Sequence, residues 1–365
     1  MLSVVLWLGI ALLCVVVVVG VYLWRSLVWL RGETRGDRYF ARPIAERRAL
    51  KDEIARRSRV FVPVCKGLAP ILPRPRSKRY RGVAFSTLAC PRKVFEAATR
   101  YAPVAGDLFV ATQMKCGTTW MQQVVYETLM RGRGDLSDAG HHHMYALSPW
   151  IESGTSVSME DAPRVGPHRQ RIIKTHLPTD LCPYSEEARY VYVARNPVAC
   201  FASCVDFETF LAGPFASSAE KWADVYCSDD MWWRPWPDHV EGWWRWAERP
   251  NVLFVHYEQM LADLGAQIDR VAEFLDVELD ATERSEVVRK SEFGYMKENE
   301  EVFEMTPPNF FSIDNGAYLA SGRADRDRDA SLAQRERIHA FCRERLKGAK
   351  YPLGEFYPEV AEARA

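Results

Sequence analysis

The sequence predicts an α/β protein with a central parallel β-sheet flanked by helices, preceded by one transmembrane helix. Three observations predict it. Four short apolar runs, Asp107-LFVAT, Arg171-IIKTH, Arg189-YVYVAR and Asn251-VLFVHY, are continuous rather than alternating, as strands covered on both faces are. Helical stretches separate them, among them Met121-QQVVYETLM and the region around Ile268-DRVAEFL, and strands alternating with helices build a doubly wound sheet. Finally, no charged side chain occurs between Met1 and Trp24.

That N-terminal stretch contains LWLGIALLCVVVVVGVYLW. An apolar helix of about 20 residues crosses a bilayer core, so residues 1–24 are expected to be a membrane span. A soluble core helix would rarely stay apolar on every face for so long. A cleaved signal peptide would carry Lys or Arg ahead of a shorter apolar run. Here Arg25, Arg31, Arg35, Arg38 and Arg42 all follow the run. The positive-inside rule then puts this flank, and the domain behind it, in the cytoplasm of a single-pass membrane protein with its N-terminus outside. Residues 25–75 mix arginines, prolines and short apolar pieces. They read either as juxtamembrane material lying on anionic headgroups or as a solvated linker.

Composition narrows the function classes. Lys+Arg and Asp+Glu balance at 48 each in 365 residues, so no global basic field points to nucleic acid. Any anionic ligand must be held locally. The nine cysteines form no CxxC pair, which favours scattered reduced thiols over a disulfide framework. No Asn-x-Ser/Thr glycosylation acceptor is present.

The first chemical signal is FVATQMKCGTTWMQQVVYETL, a strand, tight loop and helix in succession. Gly117 permits close approach of an anion to the backbone. Thr118 and Thr119 add hydroxyls to the free N–H groups of a helix start, and Lys115 adds positive charge, a combination that favours phosphate or sulfate. It is not a Walker A loop, because Lys115 precedes Gly117 and the upstream glycine is missing. In RIIKTHLP, His176 ends the second strand, and alternation puts it on the same side as Lys174. In YVYVARNPVACFASCVDF, Arg195 ends the third strand, Asn196-Pro197 opens a helix, and Ser203 follows two helical turns later. Arginine can grip a phosphate bidentately and serine adds a donor.

These motifs resemble the cytosolic-type sulfotransferases, which use 3′-phosphoadenosine 5′-phosphosulfate (PAPS) as sulfuryl donor and no metal. The likeness covers roughly residues 76–348, leaving 349–365 as a C-terminal tail. It implies a P-loop-like sulfotransferase fold. It makes Lys115-Cys-Gly-Thr-Thr-Trp120 the 5′-phosphosulfate loop, with Cys116 standing where many members have serine and contributing its backbone amide. Trp120 would pack on the adenine. The KxHLP pattern would make His176 the general base and Lys174 a stabiliser of charge on the sulfuryl oxygens. Arg195 and Ser203 would bind the 3′-phosphate, Tyr257 would approach the adenine edge, and Ser291 and Phe293 would contact and stack on the base.

One segment departs from the family pattern. The RKGxxGDW-type stretch that closes the cofactor site corresponds to Tyr318-LASGRADRDRD. Gly322 matches its glycine, Ala320-Ser321 replace the basic pair, and Arg323 or Arg326 are the candidates to supply the missing charge. The family's short C-terminal dimerisation motif is not evident, and the sequence leaves the oligomeric state open.

The expected activity is transfer of a sulfuryl group to a hydroxyl or amine on a small-molecule or lipid acceptor. The alternative is a catalytically weak, membrane-tethered nucleotide-binding protein. A nucleotide kinase would need the Walker loop and a metal-binding carboxylate. His141-His142-His143 lacks companions at metal-ligand spacing and reads as a loop near the acceptor.

Overall fold

A computed structural model describes residues 2–68, 77–87, 89–136, 143–304, 306–312 and 325–362. The apolar N-terminal run forms one helix, α1 (Leu2–Glu33), which continues beyond Trp24. Its last turns are helical because they have something to pack on. Ser26 and Leu30 are buried, and the Arg57 guanidinium lies 3.8 Å from the centroid of the Trp29 ring. A short turn, α2 (Gly36–Tyr39), leads to α3 (Ile44–Leu68).

The α3 helix buries Arg47, Leu50, Ile54, Ser58, Phe61 and Cys65, a three- and four-residue spacing that defines one face. That face lies on the α/β domain. Arg47 donates to the Glu301 carbonyl at 2.6 Å, Arg48 pairs with the Glu301 carboxylate through both nitrogens, and Lys51 pairs with Glu304. Phe61 stacks on Phe310 at 4.3 Å. Residues 25–68 are therefore largely helical, and α3 is joined to the rest of the chain through Arg47 and Arg48, whose partner Glu301 lies more than 250 positions away.

A hairpin of β1 (Lys78–Tyr80) and β2 (Val83–Phe85) turns at Arg81-Gly82, both with positive φ, as a tight type I′ turn requires. After α4 (Arg92–Ala98) come β3 (Asp107–Thr112), α5 (Thr118–Leu129), α6 (Met144–Leu147), β4 (Arg171–Thr175) and β5 (Arg189–Ala194). Next are α7 (Pro197–Ala212), α8 (Ala219–Tyr226), α9 (Trp236–Trp246) and β6 (Val252–His256). The order β4-β3-β5-β6 is parallel throughout. Each strand agrees with its apolar run to within one residue at either end. All six residues of β3 are buried, the apolar run Leu108–Ala111 on both faces and Asp107 at its start paired with Arg171 at 2.8 Å.

Helices α10 (Tyr257–Ala262), α11 (Leu264–Phe274), α12 (Ala281–Ser291) and α13 (Phe293–Glu298) follow β6. The α5 helix is buried at every position except Trp120, sandwiched between the sheet and α11 and α12. After α14 (Leu332–Arg345), capped by a Ser331–Gln334 capping box, the chain closes with α15 (Leu353–Phe356) and α16 (Pro358–Ala361). This last stretch is not a free tail. Tyr351, Leu353, Tyr357 and Val360 are buried, Tyr357 donates to Glu258 at 3.0 Å, and Glu359 accepts from Asn196 Nδ2 at 2.6 Å.

Candidate active site

The anion loop leaves β3 at Thr112 and enters α5 at Thr118. Lys115 and Gly117 both take left-handed backbone, with φ of 65° and 93°. This turns successive N–H groups toward one side, the concave arrangement that holds anions. Gly117 stands at the N-cap of α5 and offers no side-chain cap, and a helix start of this kind favours an anion. A Cβ at Gly117 would meet Tyr257 Cδ2 at 2.7 Å, so glycine is needed for both conformation and space. The Cys116 side chain points into the core, 3.1 Å from Cys200 Sγ. Burial raises its thiol pKa well above the usual range, and the backbone is what this residue presents. The Lys115 ammonium lies 4.6 Å from the centroid of the Phe207 ring.

Arg195 leaves the carboxyl end of β5 and reaches the same loop. Its Nη1 donates to the Lys115 carbonyl at 3.1 Å, and its guanidinium lies 4.3 Å from the centroid of Tyr257. Tyr257 meets Trp120 edge-on at 5.1 Å, and Trp120 Nε1 donates to the Ser291 carbonyl at 2.7 Å. Three segments far apart in sequence are thus closed around one cleft. Among the described residues, Arg195 Nε and Ser291 Oγ are buried with no hydrogen-bond partner. Such groups are costly unless a ligand satisfies them, and acceptors such as phosphate oxygens would do so.

Asn196 caps α7, accepting from Val198 N and Ala199 N. Ser203, two turns along α7, is partly exposed. Phe293 opens α13 and is 40% exposed, leaving a ring face for stacking. Gly322 and Arg323 lie outside the described residues. Arg326, the other candidate, is held by Asp206 and Asp329.

The third group lies at the carboxyl end of β4. His176 Nδ1 is 2.9 Å from the Thr112 carbonyl. A carbonyl only accepts, so Nδ1 carries the proton and Nε2 keeps its lone pair. The ring sits between Trp150 and Trp233, with centroids at 5.2 and 5.1 Å. Burial first, and Lys174 second, hold its pKa well below the normal range, so the imidazole is neutral. Lys174 is fully buried. It donates to Tyr145 Oη at 2.9 Å and lies 3.7 Å from the centroid of Trp150. Thr112 Oγ1 links the two halves, 2.7 Å from Thr118 Oγ1 and 3.2 Å from His176 Nδ1.

Sequence reasoning missed Thr112, Tyr145, Trp150 and Trp233. Only Thr112, at a strand end directly before the loop, carried a local signal. Of the histidine triplet, His141 and His142 lie outside the described residues. His143 is a buried helix cap that accepts from Tyr145 N, with its ring 4.2 Å from that of Phe40. Among the described residues, no group of three or more His, Cys, Asp or Glu side chains is placed to hold a metal ion.

The sulfotransferase domain family matches residues 105–350. Sulfotransferase 1C2 of Oryctolagus cuniculus is 28% identical over 251 residues, covering 66% of this chain and 83% of that protein. Sulfotransferase 2B1 of Mus musculus is 28% identical over 281 residues, covering 74% and 81%. Among solved structures, retinol dehydratase in complex with androsterone and the inactive cofactor PAP superposes with a TM-score of 0.60 at 20% identity, covering 74% of this chain and 89% of that one. Mouse sulfotransferase SULT7A1 complexed with PAP gives 0.59 at 20% identity, covering 78% and 98%. The matched segment contains the loop between β3 and α5, the β4 end with His176 and the β5 end with Arg195, and the chain therefore belongs to the sulfotransferase family as a PAPS-dependent sulfotransferase.

Proposed function

We propose that this enzyme transfers the sulfuryl group of PAPS to a hydroxyl or amine on a hydrophobic or lipid acceptor at a membrane surface, with His176 as general base. The observation that carries the reading is the His176 tautomer, with Nδ1 committed to the Thr112 carbonyl and a neutral ring beside Lys174. A base in that state can take the acceptor's proton on Nε2 as the new bond forms. PAPS supplies an activated sulfuryl group when bound. The first-turn amides of α5 and Lys115 would hold its 5′ end, and Arg195 and Ser203 the 3′-phosphate. Trp120, Tyr257, Ser291 and Phe293 would enclose the adenine. Lys174 would stabilise charge on the sulfuryl oxygens, so that positioning and electrostatics carry the catalysis.

Two observations support an apolar acceptor. The surroundings of His176 are aromatic, with Trp150 and Trp233 against the ring. Androsterone and retinol, each bound by retinol dehydratase, are apolar molecules carrying one hydroxyl.

The N-terminal segment extends the reading to a membrane. Residues Leu6–Glu33 are long and apolar enough to cross one, and the arginines behind them orient the domain to the cytoplasm. The segment also reaches toward the site. Phe40 is buried 5.5 Å from Tyr145, the residue that accepts from Lys174. Incubating the purified full-length chain with radiolabelled PAPS and a lipid extract should give a labelled product that His176→Ala does not form. Equal labelling by both proteins would remove the base assignment. Digestion of the domain by protease added outside intact cells would overturn the topology.

A further inference from the structure

Pro149–Glu152 runs along the free edge of β4. Lys174 N donates to the Pro149 carbonyl at 2.8 Å, and Ile151 N donates to the Lys174 carbonyl at 3.1 Å, with Trp150 in parallel register with Lys174. This pairing carries Glu152 to the end of the strand. There one carboxylate oxygen accepts from His176 N at 2.6 Å and the other from Thr175 Oγ1 at 3.0 Å. Thr175 Oγ1 in turn accepts from Leu177 N at 3.0 Å. Glu152 and Lys174 are both fully buried. Isolated buried charges are expensive, and a nearby opposite charge offsets that cost.

The groups facing Lys174 come from several elements. Tyr145 of α6 and the Trp150 ring touch the ammonium, while Glu152, Cys90 ahead of α4, Lys115 and His176 lie near enough to act on it electrostatically. Burial raises the pKa of the Glu152 carboxyl, while the His176 N–H and Thr175 hydroxyl oppose that rise. Among these Glu152 is the carboxylate. We propose that Glu152 is a positioning residue for sulfuryl transfer, fixing the backbone at His176 and serving as the buried counter-charge that keeps Lys174 cationic at the sulfuryl group. The proposal rests on the assignment of Lys174 to that group. Burial pushes the Lys174 pKa down to about 7, Glu152 opposes the fall and Lys115 adds to it. Lys174 is thus charged below this midpoint and neutral above it. Removing the Glu152 charge moves the midpoint lower and empties the cation at neutrality.

The test is calorimetry on the full-length protein with PAPS and with 3′-phosphoadenosine 5′-phosphate (PAP), from acid to alkaline pH. The ratio of the two affinities isolates contacts to the sulfuryl group. In the wild type this ratio should decline as pH rises through the Lys174 midpoint. Glu152→Gln keeps the shape and loses the charge. It should move the decline down by about one pH unit, a tenfold change in the charged fraction above the midpoint, with PAP affinity within about twofold of wild type. Lys174→Met should give a low ratio that does not vary with pH. If Lys174→Met keeps the wild-type profile, the assignment of Lys174 to the sulfuryl group fails. If Lys174→Met flattens the profile while Glu152→Gln leaves its midpoint unmoved, the role of Glu152 is overturned. Should Glu152→Gln alone prove unstable, combining it with Lys174→Met restores the melting temperature if the two form a charge pair. A double variant as unstable as the single one would make Glu152 a strand cap only and overturn the proposal.

Discussion

The carboxyl ends of β4 and β5 carry positive charge in different ways. At the β4 end the charge is a lysine enclosed by Trp150 and Tyr145, whose ammonium burial has brought down to about 7. At the β5 end it is an arginine that spans the Lys115 carbonyl and the Tyr257 ring, with Nε buried and unpartnered among the described residues. Guanidinium keeps its charge at any physiological pH, whereas a buried ammonium adjusts to its surroundings. Under the proposed assignment the group that departs faces the adjustable cation and the phosphate that stays faces the permanent one. The contrast teaches that binding and chemistry can be separated in this cleft by choosing the end at which it is perturbed.

The largest expected effect is on chemistry alone. His176→Ala should lower single-turnover sulfation by about 10²–10⁴-fold, the usual contribution of a general base. PAP affinity should stay within about twofold of wild type, because the ring touches Thr112, Trp150 and Trp233 and not the clamp. If the variant loses PAP as severely as Lys115→Ala does, the histidine is structural and the two ends are not separable. Next is binding alone. Arg195→Ala removes a charged hydrogen bond worth about 1.5–3 kcal/mol, which corresponds to roughly 10- to 150-fold weaker PAP binding by calorimetry. Unchanged affinity would remove the 3′-phosphate assignment.

Gly117→Ala should strike the junction of the two ends. The new Cβ would sit 2.7 Å from the Tyr257 ring at a φ of +93°, so PAP affinity and stability should fall together. Left-handed backbone on a non-glycine residue costs about 1–2 kcal/mol before any clash is counted, readable as a lower denaturation midpoint. A variant with normal stability and normal affinity would show that Tyr257 moves freely and that the cleft is not built around it. The smallest effect is an absence of change. Between pH 7 and 9 the affinity for PAP should vary by less than about twofold, since Arg195 remains charged throughout. A steep fall in that range would mean that a titrating group, and not Arg195, dominates the clamp.

The strands and the anion loop were legible because their causes are local. The β3 and β5 segments are buried along nearly their whole length, so each had to be written as an unbroken apolar run. Gly117 stands where the chain must be left-handed, and Pro197 follows its cap residue at the start of α7. The N-terminal region behaved differently. Residues 25–75 read either as headgroup-facing or as solvated material, and nothing in their order pointed to the bonds by which Arg47, Arg48 and Lys51 join α3 to Glu301 and Glu304. The C-terminal stretch was equally opaque, for Tyr357 and Glu359 acquire meaning only through Glu258 and Asn196.

Sequence alone was therefore sufficient for the strand–loop–helix order and the apolar N-terminal helix. Each of these follows from backbone conformation or burial within a few neighbouring residues. Folding in three dimensions settled the tautomer of His176, the pairing of Glu152 with the end of β4, and the union of α3 and the C-terminal helices with the domain. Those outcomes depend on which distant donor or charge shares a dry interior with which acceptor. In such an interior the strength of an interaction is set by burial and mutual distance, quantities that a linear order of residues does not contain.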